Sequence, residues 1–133
     1  MTILLDTHIL LWTLAGDEKL PEKAVRLIDD YENAIYYRIA SIWETEIKHS
    51  LGKLPISGKQ LSEFCKIADF QLLPIKEEHI YAVSTLVKKD NALKHNDPFD
   101  RIMIAQAKTE GCKFITHDSL VAGYAEECIV YVG

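Results

Sequence analysis

The strongest constraint on this fold is a regular alternation of short β-favouring runs with amphipathic helical stretches. Each β-favouring run is too short and too apolar to be a solvent-facing ribbon, and a helical pattern separates it from the next. Such alternation predicts a parallel sheet covered by helices on both faces. We therefore expect a three-layer α/β/α fold with a central parallel sheet of four to five strands. The predicted strands are residues 3–5, 34–40, 70–75, 113–116 and 128–132.

The length and composition of the chain predict one globular domain over residues 1–133, without repeats or a linker. The net charge of −5 predicts no general attraction to nucleic acid. The chain has 3 cysteines without CxxC spacing, which favours free thiols in a reducing compartment. A positively charged leader is absent, and so is an apolar run long enough to span a membrane. We expect a cytoplasmic protein.

Acidic residues follow the predicted strands at the edge where parallel α/β sheets place their ligand sites. Asp6 ends the first strand, and Asp118 follows the fourth after one intervening residue. Glu44 falls in the predicted first turn of the helix after the second strand. Asp97 and Asp100 lie at the start of the predicted helix 98–110, which Gly111 ends. The carboxyl ends of parallel strands share one edge, so we expect these side chains to converge.

Most of these acids also have a purely structural interpretation. Asp6 can cap a helix or form an Asx turn, and Asp118 can be a turn residue. Asp97 precedes a proline and has the pattern of a helix N-cap. Thr7 is a further cap candidate for the first helix. Several carboxylates at one edge raise each other's pKa values unless a positive charge offsets them.

The segment "SIWE" gives Glu44 a second structural interpretation. Ser41 and Glu44 have the spacing of a capping box, in which the glutamate accepts a hydrogen bond from the serine amide. A capping carboxylate in the first turn of a helix can still face a cleft. The sequence therefore leaves both roles open for Glu44.

Oxygen-rich acidic clusters favour hard cations such as Mg²⁺ or Mn²⁺. A carboxylate-bound divalent ion activates water and stabilises charge at a phosphoryl centre, in some enzymes with two ions. Motifs for nucleotide binding or a nucleophilic serine are absent. The histidines also lack the spacing of zinc ligands; they are His8, His49, His79, His95 and His117.

The segments "LLDTHILLW", "SIWETEIKHSLGKL", "DPFDRIMIAQA" and "FITHD", in this order, resemble the PIN-domain nucleases and among them the VapC-type toxins. The resemblance implies a parallel sheet flanked by helices and Mg²⁺- or Mn²⁺-dependent cleavage of RNA. It departs from the family at Glu46, where we expect a small or apolar residue. Carried over by motif, the catalytic and metal-binding residues are Asp6, Glu44, Asp100 and Asp118, with Asp97 as a further ligand candidate and Thr7 and Thr116 as supporting hydroxyls.

The resemblance also implies three partners: an RNA substrate, a VapB-type antitoxin and a second copy of the chain. Lys48, Lys53, Lys94 and Arg101 can steer an RNA backbone or be ordinary surface charges. One alternative is a PIN-like binding module without activity. A phosphatase-like α/β hydrolase is another, although its Asp-x-Asp motif is broken by His8.

Overall fold

The computed structural model describes residues 1–133 and contains one five-stranded, fully parallel sheet. The strand order is β3-β2-β1-β4-β5, so the chain fills one half of the sheet and then the other. This arrangement confirms the predicted parallel α/β fold. The strands are β1 (Thr2–Leu5), β2 (Ala34–Arg38), β3 (Gln71–Leu73), β4 (Lys113–Thr116) and β5 (Ile129–Tyr131).

Six α-helices connect and cover the strands, together with two short 3-10 turns at Val83–Thr85 and Val121–Gly123. None of these helices combines the length and the apolar character needed to cross a membrane. The helices are α1 (Thr7–Ala15), α2 (Glu22–Asp29), α3 (Ile39–Ser50), α4 (Gly58–Ile67), α5 (Glu77–Ala82) and α6 (Pro98–Glu110).

Alternating side chains of the strands build a separate apolar core on each face of the sheet. On one face, Ile3 and Leu5 pack with residues of α1, α2 and α4. On the other face, Leu4 and Phe114 pack mainly against α6. This two-sided burial explains why the strands read as continuous apolar runs.

The strand order reverses between β1 and β4, because β2 lies on one side of β1 and β4 on the other. Open parallel sheets leave a crevice at such a point, beyond the carboxyl ends of the strands. The backbone N–H of Asp6 still donates to the carbonyl of Ile115, at 2.9 Å, so the pairing of β1 with β4 extends to the mouth of the crevice.

The capping box predicted for Ser41 and Glu44 is wrong. Helix α3 begins at Ile39, with Arg38 at the N-cap position and without a side-chain cap. Ser41 is therefore inside the helix, buried, where its hydroxyl accepts a hydrogen bond from Thr7 Oγ1 at 3.0 Å. Glu44 lies in the second turn of α3, too far from the helix start to bond to an N-terminal amide. This leaves its carboxylate available to the crevice.

The predicted cap at Thr7 is also wrong by one residue. Asp6 is the N-cap of α1, and its side chain accepts from the Thr7 amide. The N-cap of α6, by contrast, is Asp97, as its position before a proline predicts. Gly111 ends α6 with φ 68°, a left-handed conformation that glycine adopts without strain.

Candidate active site

A cleft of about 320 Å³ opens at the carboxyl edge of the sheet, at the point where the strand order reverses. Its lining contains no hydrophobic residue. All five acids singled out from the sequence contribute to it. The lining residues are Asp6, His8, Glu44, Lys48, Asp97, Asp100, His117 and Asp118.

Asp6 is buried at the floor of the cleft and is held by hydrogen bonds to both carboxylate oxygens. Its Oδ1 accepts from the Thr7 amide at 2.7 Å, and its Oδ2 accepts from Thr116 Oγ1 at 2.6 Å. Burial raises the pKa of Asp6, and the hydrogen bonds from Thr116 and Thr7 lower it in part. The carboxylate is thus fixed in one orientation before any ligand binds.

Thr116 connects two of the acids. Its hydroxyl donates to Asp6, and it accepts a hydrogen bond from the Asp118 amide at 3.0 Å. Asp118 also accepts from the Leu120 amide at 2.8 Å, so it shapes the turn after β4 while it lines the cleft. Thr7 contributes its amide to Asp6, but its hydroxyl points to Ser41.

The start of α6 places two acids at the cleft. Asp97 caps the helix, with Oδ1 accepting from the Phe99 amide at 2.9 Å. Asp100, the third residue of α6, is buried. Burial, together with the neighbouring charges of Asp6, Asp97, Asp118 and Glu44, raises the pKa of Asp100 to about 8. Desolvation is the largest single cause of this shift.

His95 is a site residue that sequence reasoning missed. Its Nε2 lies 3.0 Å from Asp100 Oδ2, and its Nδ1 lies 3.1 Å from the hydroxyl of Tyr124. The Tyr124 hydroxyl also lies 3.0 Å from the His95 carbonyl oxygen. His95 thus lies within hydrogen-bond distance of both Asp100 and Tyr124. No spacing rule marks His95, because its segment is an irregular connector.

The candidate ligand residues are not all equally close together. Ligand atoms of His95, Asp100 and Asp118 lie within 4.8 Å of one another. Asp6 and Glu44 line the same cleft without joining this tight group.

Of the basic residues considered from the sequence, Lys48 is at the cleft. Its Nζ lies 3.3 Å from Glu44 Oε2 across one helical turn. Arg101 instead donates to the Tyr124 hydroxyl and the Val83 carbonyl, so its role is structural. Lys53 and Lys94 are exposed and do not line the cleft.

These side chains fit a divalent cation. Five carboxylates supply oxygen ligands of the kind that Mg²⁺ and Mn²⁺ prefer. Burial raises the pKa values of Asp6 and Asp100, and positive charge at the cleft would favour their ionised forms. A bound dication would supply it. The cleft is thus a candidate acidic metal site.

A parallel sheet covered by helices on both faces, with a carboxylate-lined cleft at its switch point, defines an α/β protein with a candidate acidic metal site. The family is specific: the chain belongs to the PIN domain family, whose model matches residues 3–126. No curated protein sequence matches the chain.

Solved structures with the same fold are distant in sequence. A structure of VapBC2 from Rickettsia felis bound to a promoter DNA fragment is 13% identical, with a TM-score of 0.66 over 98% of this chain and 97% of that chain. A toxin–antitoxin complex from Klebsiella pneumoniae is 16% identical, with a TM-score of 0.61 over 98% of each chain. FitAcB from Neisseria gonorrhoeae is 19% identical, with a TM-score of 0.58 over 90% of this chain and 89% of that chain.

Proposed function

We propose that this protein is a Mg²⁺- or Mn²⁺-dependent endoribonuclease and the toxin of a VapC-type toxin–antitoxin pair. The observation that carries the proposal is the cleft, in which five carboxylates and no apolar side chain meet at the switch point of the sheet. Membership of the PIN domain family supports nuclease chemistry. The fold shared with toxin–antitoxin structures supports the toxin role.

In this proposal Asp6 is the central metal ligand. Asp100 and Glu44 complete the site, Asp118 orients the attacking water or a second ion, and Asp97 is a further ligand candidate. When bound, the metal supplies charge stabilisation at the phosphoryl group and lowers the pKa of a coordinated water.

The surrounding residues position these acids. Thr116 and the Thr7 amide hold the Asp6 carboxylate, and His95 holds Asp100 through Oδ2. Lys48 lines the cleft and forms an ion pair with Glu44. Its ammonium group can exchange this partner for a phosphate of the RNA backbone. The substrate class is single-stranded RNA, since a flexible strand can bring its phosphate to this edge.

The proposed partners are a VapB-type antitoxin and a second copy of the chain. Helix α3 borders the cleft and presents exposed apolar side chains, with Trp43 in the helix at 59% and Leu51 at its C-cap at 64% exposure. Exposed apolar residues of this size beside a charged site are typical of protein-binding surfaces. They support a protein partner next to the cleft.

The test is cleavage of a mixed RNA pool by the purified protein in Mg²⁺, in Mn²⁺ and in chelator. We expect cleavage in either metal, none in chelator, and a loss of at least a hundredfold in Asp6→Asn, since one ligand of a small cluster is removed. Glu44→Gln should fold normally and lose most activity.

Glu46→Gln is the matched control for Glu44→Gln, because it removes a neighbouring acid of α3 that does not line the cleft. It should cleave like the wild type. Equal rates for the wild type and Asp6→Asn would refute the site. A folded protein that binds metal without cutting would support the silent binding module.

A further inference from the structure

Two histidines of the acidic cleft have no part in the proposed metal site. His8 and His117 line the cleft, and both are exposed. His8 follows Asp6 by two residues, and His117 directly precedes Asp118. Neither histidine joins a group of potential ligand atoms that lie within 4.8 Å of one another. Among the 8 lining residues they alone carry a ring, so they supply the flat aromatic surface of a cleft otherwise made of charged side chains.

Trp12 packs against both imidazole rings. Its ring centroid lies 6.0 Å from that of His8 and 5.1 Å from that of His117, with interplanar angles of 82° and 64°. Edge-to-face contacts at these distances are attractive. Trp12 is itself partly buried against the core that α1, α2 and α4 share. It therefore supports two side chains that would otherwise rotate freely in solvent.

Gly133 restrains His117 from a second direction. A Cβ at Gly133 would lie 2.5 Å from Nδ1 and 2.9 Å from the carbonyl oxygen of His117, so the backbone of residue 133 packs directly on the imidazole. The Val132 amide donates to the Thr116 carbonyl at 2.9 Å, which keeps this backbone beside β4. His117 is thus held in place by packing on two sides.

The nitrogens of these two rings are free to bind a ligand. The imidazole nitrogens that form hydrogen bonds within the protein belong to His49, His79 and His95. His8 and His117 have contacts with Trp12 instead. Packing without hydrogen bonds fixes the position of a ring and leaves its polar edge available.

The two histidines and the acids of α6 lie on opposite sides of the cleft. Helices α1 and α6 cover opposite faces of the sheet. The imidazoles rest on Trp12 of α1, whereas Asp97 and Asp100 lie at the start of α6. A nucleotide whose phosphate lies among the acids can therefore extend its base towards the histidines.

We propose that His8 and His117, supported by Trp12, form a platform that binds the base of the nucleotide whose phosphate is held at the acids. Unpaired bases of single-stranded RNA stack on aromatic side chains, histidine included. The inference rests on the proposed function and deepens it, because it assigns the residues that receive the base. Stacking uses the faces of the imidazoles and does not depend on their charge.

The test compares adenosine 5′-monophosphate with ribose 5-phosphate, which has the same sugar and phosphate but no base. Each is titrated into the full chain in Mg²⁺ and followed by NMR, so no cleavage is needed. We expect the wild type to bind the nucleotide roughly fivefold more tightly or better, which is the effect of one stacked base. The Cε1–H signals of His8 and His117 should shift upfield with the nucleotide alone, because the ring current of adenine acts on stacked rings.

The double variant His8→Ala/His117→Ala should bind the two ligands equally and keep the wild-type affinity for ribose 5-phosphate. His8→Phe/His117→Phe, which keeps the ring faces, should retain the preference for the nucleotide. His49→Ala is the matched control, since it removes an imidazole that does not line the cleft. It should behave like the wild type.

Equal affinity of the wild type for both ligands overturns the platform, and so does a preference that persists in the alanine double variant. In both cases Mg²⁺-dependent binding of ribose 5-phosphate would leave the metal site intact. If the alanine variant does not fold, histidine signals of the wild type that stay in place with the nucleotide overturn the platform equally. Binding of neither ligand in Mg²⁺ overturns it together with the proposed function.

Discussion

At the scale of single residues, Asp6 and Asp100 illustrate two ways to hold a buried carboxyl group. Asp6 accepts two hydrogen bonds from an amide and a hydroxyl. Asp100 lies within hydrogen-bond distance of His95, which in turn contacts the hydroxyl of Tyr124. Burial raises the pKa of both carboxyl groups, and a bound cation would lower it again.

Asp100 should make the metal-free protein less stable as pH rises. Its folded pKa is raised to about 8 from the usual value of about 4, so between these values the folded state binds a proton that the unfolded state releases. The free energy of unfolding therefore falls across that pH interval. In Asp100→Asn this part of the slope should disappear. Thermal melts in chelator at a series of pH values measure it.

Asp90→Asn is a suitable control for that slope, because Asp90 is exposed and outside the cleft. It should follow the wild-type curve. An Asp100→Asn protein whose stability falls with pH as steeply as that of the wild type would assign the dependence to another group.

Thr116→Val should test the hydroxyl that joins two acids. The substitution keeps the shape of this buried side chain and removes its hydrogen bonds to Asp6 and Asp118. We expect a loss of about 1.5–3 kcal/mol in the free energy of unfolding, because one partner is a charged group. Thr116→Ser should retain most of the stability. Urea unfolding measures both, and an unchanged midpoint in Thr116→Val would contradict the role.

At the scale of secondary structure, the junction of α3 and α4 explains the unexpected charge at Glu46. Its Oε1 accepts a hydrogen bond from the Gly58 amide at 2.9 Å. That amide belongs to the first turn of α4, where backbone donors lack partners within the helix. Ser57 and Gln60 cap the same helix start as a capping box. Glu46 therefore fastens two helices together.

Gly58→Ala should separate these helices. A Cβ at Gly58 would lie 2.9 Å from the Ile42 carbonyl oxygen and 3.2 Å from Glu46 Cβ. Alanine is the better helix former by about 1 kcal/mol, but the backbone contact cannot be relieved by a rotamer change. We expect a net loss of about 1–3 kcal/mol in urea unfolding.

Gly123→Ala provides the comparison for Gly58→Ala. Its new Cβ would meet Ala92 at 3.4 Å, an ordinary contact distance. This variant should be nearly as stable as the wild type. If Gly58→Ala were as stable as Gly123→Ala, the close approach of α3 and α4 would not restrict residue size.

At the scale of the whole molecule, a metal ion should couple the two halves of the sheet. The cleft draws acids from the ends of β1 and β4 and from α3 and α6. Binding only to the folded state stabilises it by RT ln(1 + [M]/Kd), about 2.7 kcal/mol at a hundredfold excess over Kd. We expect Mn²⁺ to raise the melting temperature by roughly 10 °C.

Asp6→Asn should remove most of that increase while leaving the metal-free protein of comparable stability. Asparagine keeps an acceptor oxygen for the cap of α1 and removes a buried charge. Melts of both proteins in chelator and in Mn²⁺ measure the effect. Strong destabilisation in chelator, with equal stabilisation of both by Mn²⁺, would instead make Asp6 a structural cap.

The sequence by itself determined the elements and the edge to which the acids belong. Strand β4 and helix α6 have their predicted bounds, because the apolar pattern, the Asp97 cap and the Gly111 terminator each act on their own neighbouring residues. Parallel order follows from the alternation of elements. The ligand roles of the acids are still predictions, although their positions at one cleft agree with the expected convergence.

Only the tertiary structure decided how those acids are held. Thr116 and Asp6 are 110 residues apart, so no local pattern predicts their hydrogen bond. His95 reaches Asp100 from an irregular connector, and Arg38, at the end of an ordinary β-strand pattern, is buried against Phe114 of β4. Long-range packing sets the start of α3 as well, overriding a local capping signal. Burial and charge depend on which distant residues meet, and that information exists only once the chain has folded.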